Sequence, residues 1–388
     1  MIKEKAHGGL SMTTQLEQAA QFILTKTKQN ILSFGDQLPT GTAEGKYKFA
    51  DNGFWVGGFW TGLNWLCYEL SGDQQFSAAA RASKSRFTQR LYEQQETLDH
   101  DIGFLYMPTF VADYKLTGNL EARKIALDAA DRLKERFNEA GQFIQAWNVW
   151  ESGEAFSEEN RGRIIIDCMY NLPLLFWAYE ETGDEDYRRV AVAHADTCAN
   201  TIIRPDFTTF HTYVFDPSTG QPKFGQTFQG YADDSCWARG QTWAIGGYTY
   251  AYKYTGDKKY LELARKLTEV YIDRVEPDFI PLWDFSVPNP SEALRDTSAA
   301  AIAAASLLEL AEHVEGEEKE KYVQFADNTL QSLYHNYSTK ELPDNEGLLV
   351  NACGHHPAGS DIDCSLIYGD YYFAEAVTRL LGKGKGYW

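Results

Sequence analysis

The 388-residue chain is short of positive charge, with 36 Lys and Arg against 55 Asp and Glu and a formal net charge of −19. That shortage argues against a nucleic-acid partner, because a phosphate backbone is bound through clustered cations. It also removes diffuse attraction for a polyanion, so any acidic ligand must be held by a few local donors. No apolar run approaches the ~20 residues of a membrane span. Met1–Met12 has lysines but no apolar stretch of a secretory leader. The six cysteines (Cys67, Cys168, Cys198, Cys236, Cys353, Cys364) form no C-x-x-C pair. They read as free thiols of a reducing compartment, so a cytoplasmic protein is expected. His355-His356 is the one histidine pair and H-E-x-x-H is missing, so no metal site is expected. Dinucleotide and P-loop glycine patterns at a strand–helix junction are absent, and so is a G-x-S-x-G nucleophile elbow.

Aromatic residues are plentiful: ten Trp, 23 Tyr and 22 Phe. Four segments share a hidden repeat of Tyr, Gly four residues later, and Ala eight residues after that. They are Tyr68–Gly72–Ala80, Tyr114–Gly118–Ala126, Tyr179–Gly183–Ala191 and Tyr252–Gly256–Ala264, with turns SGD, TGN, TGD and TGD. A looser fifth copy surrounds Gly316, where EGEE replaces TGD. Each copy predicts a helix hairpin. The glycine takes the left-handed conformation that ends one helix, and the Asp or Asn after it caps the next. Segments upstream of the glycine are apolar all round, and those downstream are amphipathic, predicting inner and outer helices. The glycines lie 46, 65, 73 and 60 residues apart, too irregular for a fixed-period solenoid. With an opening helix near 14–34 and a closing one near 370–382, the count reaches twelve helices. The expected fold is an all-α (α/α)6 barrel, one domain over 14–388 after a flexible segment 1–13. Short strands are expected within 204–235 and 277–295, where FHTYVFD and IPLWDFSV read as β.

In such a barrel the loops entering the inner helices converge on one mouth. Here they read DNGFWVGGFW, LDHDIGFLY, RGRIIIDCMY, DDSCWARGQTW, LRDTSAA and IYGDYY, each with an Asp and most with Trp, Arg, His or Tyr. Carboxylates ringed by aromatics suit a sugar, since rings stack on its apolar faces while carboxylates bond hydroxyls and move protons. Asp167 follows three isoleucines, which predicts burial and a raised pKa. A structural ion pair with Arg161 or Arg163, or a helix cap, explains it equally well at this level. Asp101, beside His100, has helix capping as its competing role. His211 is equally a satisfied strand histidine. Trp55, Trp60, Trp147, Trp237 and Trp243 are expected to divide between core and mouth.

LDHDIGFLY, FIQAW, RIIIDC…NLPLL, FHTYVFDP, QGYADDSCWARGQTW, RDTSA and IYGDYYFAEA together resemble the unsaturated glucuronyl hydrolases of glycoside hydrolase family 88, from about residue 14 to the end. The resemblance implies the same barrel, no metal or organic cofactor, and action on the 4,5-unsaturated uronic acid at the non-reducing end of lyase-generated oligosaccharides. Such enzymes hydrate the C4=C5 vinyl ether, and the resulting hemiketal opens and expels the rest of the chain. By motif match Asp167 is the general acid/base and Asp101 the second essential carboxylate. His211 and Gln229 match residues contacting the unsaturated ring; Trp55, Trp147, Trp237 and Trp243 match aromatic walls, and His100 and Arg239 nearby polar groups. Arg239 is the expected partner of the substrate carboxylate.

Three departures stand out: the common DHHD is Asp99-His100-Asp101, and W-T-D-G is Trp55-Val56-Gly57-Gly58. Phe228 and CGHHPAGSDIDCS (353–365) stand where members preferring sulfated fragments tend to carry a basic residue and a Ser/Lys-rich loop, implying weak dependence on sulfate. The expected partner is an unsaturated di- or oligosaccharide, handled by a monomer or weak homo-oligomer. Rival readings are an unsaturated rhamnogalacturonyl hydrolase, an N-acylglucosamine 2-epimerase-like isomerase using paired histidines, and a non-catalytic sugar-binding helical module.

Overall fold

A computed structural model describes residues 12–388. Six inner helical segments follow one another around a ring: Gly57–Ser71, Ile102–Tyr106 with its continuation to Thr117, Ile166–Tyr170 with Pro173–Thr182, Ala238–Thr255, Thr297–Ala311 and Ile367–Leu380. Each packs on the next, and Ile367–Leu380 returns to pack on Gly57–Ser71. Outside them lie Met12–Phe34, Gln74–Ala82 with Lys84–Glu93, Leu120–Lys134, Glu185–Thr201, Lys258–Arg274 and Gly316–Asn336. This is the expected (α/α)6 barrel. The opening helix begins at Met12, so Met12 and Thr13 are helical where a flexible segment was expected. The rest of that expectation concerns residues outside those described.

The division into rings follows sequence pattern. Thr297–Ala311 is buried at every position, as suits a helix apolar on all sides. Lys258–Arg274 buries only Tyr260, Ala264, Leu267, Thr268 and Tyr271, one face of a 3.6-residue period. Gly72, Gly118, Gly183 and Gly256 close their inner helices with φ near +70°, each donating its N–H to the repeat tyrosine's carbonyl. Asp73, Asn119, Asp184 and Asp257 then cap the outer helices through their side chains. The fifth turn differs. Thr297–Ala311 ends before Glu312, and Gly316 opens the following helix instead of closing the preceding one.

FHTYVFD supplies the central strand, Thr212–Phe215, of a three-stranded antiparallel sheet between Arg163–Ile165 and Pro222–Gln226. IPLWDFSV forms only isolated bridges, Leu282 with Arg295 and Asp284 with Trp237, because it is held loop-fashion against the barrel rim. Two further hairpins, Pro39–Ala43 with Lys46–Phe49 and Ala352–His355 with Ser360–Cys364, stand side by side at the mouth. Among the described residues no helix is long and apolar enough to cross a membrane.

Candidate active site

The mouth opens into a cavity of about 750 Å³ whose wall includes Trp55, His100, Asp101, Trp147, Asp167 and Gln229. Both predicted carboxylates therefore face one space, and local backbone explains how. Asp101 stands just before the helix that starts at Ile102, and its side chain makes no capping bond. Asp167 sits in the 3₁₀ turn Ile166–Tyr170, which the strand Arg163–Ile165 feeds into the barrel, with Ile166 N donating to His211 O at 3.0 Å. Asn171 joins the two carboxylate-bearing segments. Its Oδ1 accepts from Phe104 N at 2.7 Å and its Nδ2 donates to Asp167 O at 3.1 Å. Gly103 permits that approach, since a Cβ there would lie 2.6 Å from Asn171 Cα. Sequence reasoning passed over Asn171, although an Asn directly before Leu-Pro at an inner-helix entry was the available signal.

The competing structural roles of Asp167 are not realised. Arg161 pairs with Glu158. Arg163 is spent on Asn160, Thr212, Gln226, Phe156 O and Glu159. Asp167 Oδ1 is buried without a hydrogen-bond partner. Burial pushes its carboxyl up to about 7, against a downward pull from Arg239. Asp101 is driven well above the carboxylate range by burial, then by the charges of Asp99 and Asp167. Asp370 makes an instructive contrast. It is equally buried and also pushed up to about 7, yet Tyr47 Oη, Leu348 N and Leu349 N donate to it, which marks a structural carboxylate.

His100 and His211, far apart in sequence, both pack edge-on against Trp147. Burial lowers His100 to about 4 and His211 well below its ordinary value, so both rings are neutral. His211 Nδ1 accepts from Phe228 N and Gln229 N, which assigns the proton to Nε2. His100 Nε2 lies 3.2 Å from Asp101 Oδ1. Asp99, His100 and Asp101 also bring three donor atoms within 4.8 Å of one another, a closeness that the sequence reading had not counted toward a metal.

Four predicted residues are not on the cavity wall. Trp243 is fully buried among Phe104, Tyr170 and Tyr372, because its position on an inner helix points into the barrel core. His211 and Trp237 stack together behind the wall at 4.5 Å. Arg239 is fully buried between the rings of Trp237 and Tyr368. Its Nη1 donates to Asp296 Oδ2 at 2.8 Å and Cys353 O at 2.7 Å, and its Nη2 to Gly354 O at 2.6 Å. Nη1 and Nη2 of the fork expected to hold a substrate carboxylate are thus engaged by the protein, while Nε is buried without a partner. The wall also includes Trp150, Tyr368 and the buried Arg90, which the sequence had not singled out, and His355 of the histidine pair. The 353–365 segment lies there too, with Asp361 paired to Lys48 across the two mouth hairpins.

A helical toroid with buried, proton-holding carboxylates and aromatic walls at its mouth is the build of a glycoside hydrolase. Comparison with known proteins makes the class particular. Residues 33–388 match Glycosyl Hydrolase Family 88, and the chain belongs to that family. It is 40% identical over 376 residues to the unsaturated glucuronyl hydrolase of Bacillus sp. strain GL1, covering 96% of this chain and 98% of that one. It is 38% identical over 378 residues to the unsaturated chondroitin disaccharide hydrolase of Streptococcus pneumoniae, covering 96% and 94%. The Bacillus sp. GL1 crystal structure superposes with a TM-score of 0.89 over 94% of this chain and 96% of that one. Membership of this family leaves no room for the isomerase or non-catalytic readings.

Proposed function

We propose that the chain hydrolyses 4,5-unsaturated uronic acids from the non-reducing end of oligosaccharides, with Asp167 as general acid/base. The observation that carries this reading is Asp167 itself: a cavity-facing carboxyl with a partnerless oxygen and a pKa raised to about 7. A vinyl ether is most electron-rich at C4. Protonated Asp167 gives its proton to C4, leaving positive charge shared between C5 and the ring oxygen. Water adds at C5 and returns a proton to the Asp167 carboxylate, completing a hemiketal. Ring opening then gives a C5 ketone and a hemiacetal at C1, which expels the leaving sugar as its alcohol and ends as an aldehyde.

Asp101 is the second essential carboxyl. Burial and the nearby Asp99 and Asp167 charges favour its protonated form, which can donate a hydrogen bond into the cavity. Trp55 and Trp147 are the faces against which the sugar packs, while His100 and Gln229 offer polar contacts. His211, Trp237, Trp243 and Arg239 act from behind the wall by fixing these groups. The relatives' names support a uronic acid substrate, and the 40% identity to a glucuronyl hydrolase favours this over a rhamnogalacturonyl-specific reading. An apolar Phe228 and an acidic Asp361 on the wall support an unsulfated neighbouring sugar. All the residues with proposed roles come from one chain, which supports a monomer or weak homo-oligomer. Six unpaired cysteines, five of them buried, support a cytoplasmic setting.

The direct test is loss of the near-ultraviolet absorbance of the conjugated alkene across lyase-generated disaccharides, with and without sulfate. Bleaching of none of them would overturn the reading; a strong requirement for 6-sulfation would overturn the preference alone. The first chemical step needs Asp167 protonated, so kcat should be level below pH 6.5 and fall about tenfold per pH unit well above pH 7. A rate still rising at pH 9 would exclude Asp167 as the acid. Asp101→Asn is expected to lose most activity, and Trp147→Ala to raise KM severalfold with little change in kcat. An unchanged KM in the latter would assign Trp147 to packing.

A further inference from the structure

Phe54 has the most exposed aromatic ring on the cavity wall, with 66% of the residue accessible to solvent. Its backbone is left-handed, at φ +52°, a region that residues with a Cβ rarely adopt. The protein holds it there deliberately. Asn52 Oδ1 accepts from Phe54 N at 3.0 Å. The buried guanidinium of Arg90 donates through Nη1 to the carbonyls of both Asn52 and Phe54, and through Nε and Nη2 to Thr97. One arginine thereby ties the Phe54 turn to the segment leading into Asp99, His100 and Asp101. The next residue, Trp55, gains packing on Phe59, Phe104 and Tyr368. Phe54 gains no comparable burial, so backbone strain and an exposed apolar ring are both maintained at the mouth. A strained conformation kept by surrounding bonds at a site's edge points to ligand contact.

We propose that Phe54 is the platform on which the leaving sugar stacks, the residue attached to the unsaturated uronic acid. This rests on the vinyl-ether reading above. The two carboxyls line the same cavity as Phe54 but are far less accessible, at 6% and 7% exposure. A chain whose terminal ring reacts there runs outward, and its second sugar reaches the wall where Phe54 stands. An uncharged ring binds the C–H face of a neutral hexose or acetamido sugar and offers nothing to a sulfate.

The test compares the unsaturated disaccharide with the methyl glycoside of the same unsaturated uronic acid, which lacks a second sugar. Phe54→Gly suits the backbone, because glycine adopts φ near +50° freely, so its melting temperature should equal or exceed wild type. We expect KM for the disaccharide to rise about five- to tenfold, with kcat unchanged and both constants unchanged for the methyl glycoside. Phe54→Tyr should restore the disaccharide KM. An unchanged disaccharide KM in Phe54→Gly, or an equal loss on both substrates, overturns the platform while leaving the reaction intact. A wild-type protein that bleaches neither substrate overturns the reaction, and the platform with it.

Discussion

Asp167→Asn is expected to abolish turnover, by a factor of a thousand or more, while making the protein more stable at pH 8. The loss follows from chemistry, since an amide cannot give C4 a proton or take one from water. The gain follows from linkage. Burial holds Asp167 at about 7 in the folded chain, against an ordinary 3.8. Below about pH 4 both folded and unfolded chains keep this proton. As pH rises from about 4 to 7 the unfolded chain releases it first, so the group's contribution to stability falls and then levels off. Three units at about 1.4 kcal/mol each set an upper bound of about 4 kcal/mol that asparagine would recover at pH 8. Thermal unfolding at pH 4 and pH 8 checks this. The melting temperatures of variant and wild type should agree at the lower pH and differ by several degrees at the higher. A variant less stable than wild type at pH 8 would mean that Asp167 serves as a structural ion after all.

Arg239→Met should be the most destabilising change near the site, costing about 3–5 kcal/mol. Its removal leaves the buried Asp296 Oδ2 without a donor or counter-charge and takes one donor from each of the Cys353 and Gly354 carbonyls. Ser298 still donates to Asp296 Oδ1 and Gln229 to Gly354 O. Those groups join the helix Thr297–Ala311 to the hairpin that forms one side of the mouth. Had Arg239 been the partner of the substrate carboxylate, the variant would fold normally and show only a raised KM. Denaturant unfolding with steady-state kinetics separates the two outcomes. The double variant Arg239→Met/Asp296→Asn should recover part of the stability, because no orphaned charge remains. Arg239 also contributes the positive charge that holds Asp167 down. Where the double variant folds, the alkaline fall in kcat should move to higher pH.

Much of the fold was legible in the chain because local rules and the global ring agree. The Tyr–Gly turns, the Asp and Asn caps and the contrast between all-apolar and amphipathic segments each specify a helix hairpin by short-range chemistry. The Gly316 turn was misplaced because a glycine with left-handed φ can stand on either side of a helix junction, and without the TGD pattern nothing local chooses. The strand signal in IPLWDFSV failed for a related reason. Alternating apolar residues make a strand only where a partner edge is available, and at 280–287 the neighbours offer single bridges.

For the site, the sequence by itself determined that several acids stand at inner-helix entries, because residue type and helix periodicity are local properties. Family resemblance selected Asp167 and Asp101 among several such acids. Only the tertiary structure decided which aromatic and polar neighbours reach the cavity. Trp55 and Trp147 line it, whereas Trp237 and Trp243 turn into the core, although all four looked alike in the chain. The same holds for Arg239: its fork was free to take any carboxylate until the fold placed Asp296, 57 residues away, against it. Occupancy of a buried hydrogen-bonding group is settled by what the rest of the chain brings to it, and no spacing within a motif records that.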